Sequence, residues 1–328
     1  MPNRTRIDET DAKILKTLLK DSRTSFTKMA KDCKISVGAV RMRYKRLWKT
    51  GIINGEIMQV NPHALGFEYV VDLGIITAVE NEKEVTEFLR NKHYEHMNIV
   101  GPFGRYNVFA VAVFNNIQEL TETIRDLESH LHVKRVESLI WAEAVYMEHM
   151  ENLIFEPFGK NGDAQKYLRP NGANHEKAQM DQIDRQIAKT LSLNARTPFK
   201  RIAEQLGIST KNVIQRYKKL KGHVLTMSTI TVDLRKLGFQ AFAFLFIKVA
   251  NRSKMLEIYS QLVEIPNVVV AIRTLGPYDL HGTVFLTCFD KLFETTEQIR
   301  RIPGIDLTEI HVTPAWDKWP PNLFVSLL

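Results

Sequence analysis

The chain has 328 residues, of which 44% are hydrophobic and 25% charged, with two cysteines and a formal net charge of +8. That length predicts two or three domains, and the composition excludes wholesale disorder. Cys33 and Cys288 cannot make a disulfide scaffold or a cysteine zinc site, no apolar run is long enough to span a bilayer, and the first residues lack the apolar core of a secretory signal, so a cytoplasmic protein away from the membrane is expected.

The charge is unevenly placed. Residues 1–55 carry 14 Lys+Arg against 5 Asp+Glu, residues 176–225 carry 11 against 4, and the remainder is acidic, with 20 against 28. A shift of 173 positions superposes the two basic blocks. Of the 40 positions from Asp8 to Leu47, 17 are identical to Asp181–Leu220, among them Ile14/Ile187, Arg23/Arg196, Phe26/Phe199, Val40/Val213, Arg43/Arg216 and Tyr44/Tyr217. At an offset of 172 the match continues through Val60, Leu65, Gly66 and Phe67 against Val232, Leu237, Gly238 and Phe239. A repeat of this length reads as a duplicated two-domain protein rather than a solenoid.

In chain order, the first block breaks into three helices. Asp8 caps the first, whose apolar stripe is Ile14, Leu15, Leu18 and Leu19. Thr24 is expected to cap the second, matched by Thr197 with Pro198 at the first helical position. Ser36 and Ser209 cap the third, which buries Val40, Tyr44 and Leu47, or Val213, Tyr217 and Leu220. Two short helices, a tight turn and a basic third helix are the sequence form of a helix-turn-helix. The residues expected on DNA are Ser36, Gly38, Arg41, Met42, Arg43, Lys45 and Arg46 in the first copy. In the second they are Ser209, Lys211, Asn212, Gln215, Arg216, Lys218 and Lys219. A face built for solubility mixes both signs. Val37–Thr50 has Arg41, Arg43, Lys45, Arg46 and Lys49 and no acid.

After each block the pattern is β-α-β-β-α-β. The first copy predicts strand 68–77, helix 82–93, strands 97–100 and 108–114, helix 117–131 and strand 133–144. The second predicts strand 240–249, helix 254–265, strands 268–274 and 280–289, helix 291–302 and strand 305–312. This order is ferredoxin-like, with both helices on one sheet face and the other face needing a cover. The fold class is therefore α+β. Winged helix-turn-helix 1 spans 1–55, effector-type domain 1 spans 56–155, and a linker spans 156–178. Helix-turn-helix 2 spans 179–226, and 227–328 is effector-type domain 2 with a C-terminal tail. The polar stretch Gly159–Ala178, with an r.m.s. span of about 25 Å, can bridge two packed domains.

The chain resembles the Lrp/AsnC family of transcription regulators, twice over. The likeness is carried by Ile7-Asp8, Asp11–Leu15, Arg23, Ala30, Ser36-Val37, Val40, Arg43, Leu47 and Gly51–Ile53. The tether Val60-Asn61 with Leu65-Gly66 and the loop Gly276-Pro277-Tyr278-Asp279 extend it. It implies a DNA-binding regulator, acting on double-stranded DNA, whose effector domains pair either within the chain or as a homo-oligomer. It also implies a small-molecule effector, such as an amino acid, at Gly104, Tyr106, Asn107, Gly276, Tyr278 and Asp279. Beside that, the same loop residues read equally as a tight hairpin built on glycine. The rival class is an enzyme, because sirohaem decarboxylases share this two-domain fold, but the basic blocks favour a regulator that is no enzyme. No cofactor is expected, and His93, His96, His130 and His132 do not complete a metal site. The tail from Thr313, with Trp316 and Trp319, is expected to pack on the sheet or a neighbour.

Overall fold

The structure, a computed structural model, describes residues 7–91, 96–147, 177–265 and 267–328. Most of the linker lies outside these residues, as does His93. The first head holds α1 (Glu9–Lys20), α2 (Phe26–Cys33) and α3 (Val37–Lys49). Strand β1 (Ile53–Val60) leads to β2 (Tyr69–Thr77), α4 (Glu82–Asn91), β3 (Met97–Phe103), β4 (Tyr106–Phe114), α5 (Ile117–Glu128) and β5 (Val133–Met147). The second half repeats this as α6 (Gln182–Leu193), α7 (Phe199–Leu206), α8 (Thr210–Leu220), β6 (Leu225–Val232) and β7 (Ala241–Val249). It continues as α9 (Met255–Val263), β8 (Val268–Leu275), β9 (Leu280–Leu286), α10 (Phe289–Arg300) and β10 (Ile305–Pro314).

Each head opens on a capping box. Asp8 accepts from Asp11 N at 2.8 Å and Asp181 accepts from Asp184 N at 2.7 Å. The second-helix caps fall one residue later than the sequence pattern suggests. Ser25, rather than Thr24, accepts from Lys28 N, and Pro198 stands at the cap position instead of inside α7. The hydroxyl three residues before the bonded N–H makes the cap, so Ser25 satisfies Lys28 where Thr24 would not. Strand β9 stops at Leu286, and Phe289 opens α10, where it lies exposed against Phe293 one turn on.

The two connecting strands pair with each other. β1 and β6 form an antiparallel ribbon, Ile53 opposite Val232 and Ile57 opposite Thr229. Each head packs on the other half's strand, α1 on β6 and α6 on β1. Ser22 N donates to Ser228 O at 3.2 Å, and its repeat partner Ala195 N donates to Glu56 O at 2.9 Å.

The remaining strands form one sheet in the order β10-β7-β9-β8-β5-β2-β4-β3. It is two ferredoxin-like quartets joined where β5 pairs with β8, Ile140 opposite Leu275. Helices α4 and α5 cover one face of the first quartet, over Val71, Leu73, Ile75 and Phe114, and α9 and α10 do the same in the second over Leu245, Ile247, Val268 and Val284. The helix-free faces meet each other. Tyr106, Phe109 and Leu139 join Phe242, Phe244, Phe246, Tyr278 and Phe285 in one core. The tail closes the ends. Trp316 packs edge-on to Phe242 at 4.6 Å, Trp319 exchanges backbone hydrogen bonds with Val232, and Phe324 enters the core of the second head.

One polar contact interrupts the aromatic seam. His281 Nδ1 lies 2.7 Å from Asp72 Oδ2, both side chains buried and contributed by different halves. The repeat partners of Asp72 and His281 are Phe244 and Phe109, whose rings lie 6.4 Å apart. The same contact is therefore made twice across the pseudo-twofold, once by an acid and an imidazole and once by two rings. A first half paired with its own copy would bury Asp72 against Phe109 at both places. An unpaired buried carboxylate is strongly disfavoured, so the pair selects the unlike half as partner. His281→Phe, which strands Asp72, is expected to cost about 3 kcal/mol, read as a lowered urea midpoint. Adding Asp72→Phe copies the Phe109–Phe244 contact and recovers most of that loss. If the double variant is as unstable as the two singles summed, the residues are not coupled.

Candidate nucleic-acid interface

The third helix of each head stands on its serine cap. Ser36 Oγ accepts from Ala39 N and Ser209 Oγ accepts from Asn212 N, both at 3.1 Å. With Val40, Leu47, Val213 and Leu220 turned into the cores, the outward residues of the first head are Ser36, Gly38, Arg41, Met42, Lys45 and Arg46. Those of the second are Ser209, Lys211, Gln215, Lys218 and Lys219. Asn212 is half-buried, its Oδ1 accepting from Arg216 Nε at 2.8 Å.

Arg43 and Arg216 do not stand among them. Arg43 donates to Asp8 at 2.6 Å and to Asp11 at 2.9 Å. Arg216 donates to Asp181 at 2.6 Å and to Asp184 at 2.7 Å. Asp11 and Asp184 are buried and need such partners. Arg46 also binds Asp11, and Lys219 Nζ lies 3.3 Å from Asp184. These four cations fasten the third helix to the first, while Arg41, Lys45, Lys49, Lys211 and Lys218 are exposed, the Arg41 guanidinium lying 5.7 Å from the Phe26 ring.

A second arginine pair joins the heads. Arg23 donates to the carbonyls of Ala195 and Thr197 and stacks over Phe199 at 4.3 Å. Arg196 donates to those of Ser22 and Thr24 and stacks over Phe26 at 4.7 Å. Glu56 adds an anion on one side only, 3.6 Å from Arg196 Nε and bonded by the Tyr44 hydroxyl. Burial pushes the Glu56 carboxyl up, and burial, then the bond to Glu56, does the same to the Tyr44 hydroxyl. The clamp is not evident from charge or periodicity. Its one signal is that Arg23-Thr24 and Arg196-Thr197 are identical where the chain turns between helices.

The loop residues expected at an effector site sit at the quartet seam. Gly104, with φ 55°, leaves no room for a side chain beneath the His311 ring, and Gly276 abuts Ser138 O in the same way. Tyr106 and Tyr278 are buried, with the Tyr106 hydroxyl 2.8 Å from Glu137. Asn107 Oδ1 accepts from Thr77 N at 2.9 Å. Asp279 accepts from Val249 N at 3.0 Å and from Arg252 Nε at 2.8 Å. Both acceptors of the motif thus hold the ends of their own β2 and β7 strands. Among the described residues no group of three or more His, Cys, Asp or Glu could hold a metal ion, His130 packs on Phe88 at 4.4 Å, and no helix is long and apolar enough to cross a membrane.

Comparison with known proteins matches residues 7–54 to the winged helix-turn-helix DNA-binding family and residues 180–221 to the AsnC-type helix-turn-helix domain. The regulator Ptr1 of Methanocaldococcus jannaschii is 34% identical over 114 residues, 35% of this chain and 76% of its own. The chain belongs to the Lrp/AsnC family of transcription regulators. Another regulator, LrpA of Pyrococcus horikoshii, is 46% identical over 84 residues, 26% of this chain and 60% of its own. A solved structure of the siroheme decarboxylase NirDL covers 97% of both chains at a TM-score of 0.64 and 14% identity. That is a likeness of fold. The sequence relatives and both head matches make this Lrp/AsnC protein a DNA-binding transcription regulator.

The capping carboxylates give the heads a pH dependence. The Asp11 N–H, then the Arg43 guanidinium, hold Asp8 below its ordinary value of 3.8, and Asp184 N–H with Arg216 do the same for Asp181. A depressed carboxyl contributes stability above its unfolded value and loses it as pH falls through the folded one. The acid limb of helix loss, followed by circular dichroism, should therefore lie below pH 3.8 and move to higher pH in Arg43→Ala/Arg216→Ala. An unmoved limb contradicts the arginine–carboxylate coupling.

Proposed function

We propose that this regulator reads duplex DNA in a sequence-specific way with both heads at once, α3 and α8 each entering a major groove at a separation fixed by the protein. What supports the reading is the clamp of Arg23 and Arg196, which ties the heads to each other while Arg41, Lys45, Lys211 and Lys218 stay exposed and, among the described residues, without an acid partner, placed to meet phosphates and bases. Half-sites one helical turn apart, about 34–36 Å, or a multiple of it, suit such a pair. The protein acts in the cytoplasm, as one pseudo-dimeric chain or as an oligomer of such chains.

An effector belongs to the same reading. An amino acid carries an ammonium and a carboxylate, and the buried Asp279 with the exposed Arg252 is the pair both would compete for. Displacing Asp279 from Val249 N would loosen the end of β7 and shift the quartets, and with them the heads. The decarboxylase alternative rests on fold likeness and accounts for neither basic face.

Two measurements test the proposal. Lys45→Ala or Lys218→Ala should each weaken binding uniformly across sequences and lower the slope of log affinity against log salt by about one. Affinity indifferent to salt, or no affinity for any duplex, overturns the reading. Arg23→Ala/Arg196→Ala, which loosens the heads on the β1–β6 ribbon that still joins them, should flatten the dependence of affinity on half-site spacing by about tenfold while each isolated half-site binds as before. Unchanged spacing dependence means the clamp does not set the distance.

A further inference from the structure

The two reading helices are built on one plan but carry different base-reading chemistry. At matched positions the phosphate-gripping cations persist, Lys45 opposite Lys218, whereas the residues one turn earlier change class. Arg41 stands opposite Ile214, and Met42 opposite Gln215. All four are exposed, with Met42 68% and Ile214 37% accessible. Among the described residues none of the four is held by an acid, unlike Arg43 and Arg46 with Asp11, and Arg41 only rests its guanidinium 5.7 Å from the Phe26 ring. Gly38, which leaves the backbone bare, is replaced at the matched position of the second head by Lys211, a point charge.

An arginine pairs bidentately with guanine O6 and N7, a glutamine with adenine N6 and N7, and an apolar side chain with the thymine methyl. On the first head the order along the helix is a guanine reader, Arg41, then a methyl reader, Met42. On the second it is a methyl reader, Ile214, then an adenine reader, Gln215. A homodimer places the same order twice and reads a palindrome. This chain cannot, because its two heads are unlike and the buried Asp72–His281 contact pairs unlike halves.

We propose that the operator is asymmetric: a guanine-bearing half-site under Arg41 and Met42, joined to an adenine/thymine half-site under Ile214 and Gln215, so that the chain binds DNA in one direction only. This rests on the DNA-reading role proposed above. It also gives the protein a polarity on the duplex that a palindromic operator lacks.

The test is selection of duplexes from a random library by the full chain, followed by binding to the winning site. The expected winner is non-palindromic, with a fixed guanine in one half and a fixed adenine in the other. Replacing that guanine by 7-deazaguanine, which removes N7, should cost the parent about tenfold and cost Arg41→Ala nothing further. The surface variant Arg41→Ile/Met42→Gln, whose first head then reads like its second, should select two adenine/thymine half-sites. A palindromic winner, a 7-deazaguanine effect that survives in Arg41→Ala, or a double variant that keeps the parental site overturns the asymmetry while leaving DNA reading intact. No enrichment from any library overturns the DNA-reading role itself, and the asymmetry with it.

Discussion

The constraint on which everything else depends is the helix-free face of each β-quartet. A β-α-β-β-α-β unit covers one sheet face with its own helices and leaves the other apolar, which water penalises at roughly 25 cal/mol per Å². Here that face is solved within one chain, by laying Tyr106 and Phe109 against Phe244, Phe246 and Tyr278. The buried Asp72–His281 contact is weak as a source of stability but strong as a selector, since either residue opposite the wrong half is left unpaired. Covalent joining alone would permit like halves of two chains to associate. The single unlike contact removes the incentive.

From that seam the geometry propagates outward. With the quartets fixed, β1 and β6 emerge close enough to pair, and each then becomes the floor of the opposite head. Arg23 and Arg196 complete the exchange by reaching across to backbone carbonyls, where a guanidinium offers several donors at fixed angles and a flat face for Phe199 or Phe26. Two reading helices held this way have one separation and one mutual angle.

Much of this was legible in the residues. The repeat at 173 positions, the three-helix heads and the six-element order of each quartet follow from periodicity, caps and charge, because those signals are local and the two copies check each other. The exposed faces of the third helices were legible only in part. Arg43 and Arg216 look from sequence like DNA contacts at the edge of a basic helix. Their carboxylate partners, Asp8, Asp11, Asp181 and Asp184, lie over thirty positions away on another helix, and helix periodicity carries no information across that distance. Asn107 and Asp279 posed the same difficulty, since an acceptor near a turn looks alike whether it holds its own strand or a ligand.

The sequence by itself determined that this is a duplicated chain with two basic helix-turn-helix heads and two ferredoxin-like domains, since composition, identity between copies and hydrophobic period are properties of the chain order. Which cations stay exposed, which face carboxylates, and which half pairs with which were decided only by tertiary structure. Each of those depends on groups far apart in the chain meeting at hydrogen-bond distance, where burial sets the cost of leaving any one of them alone.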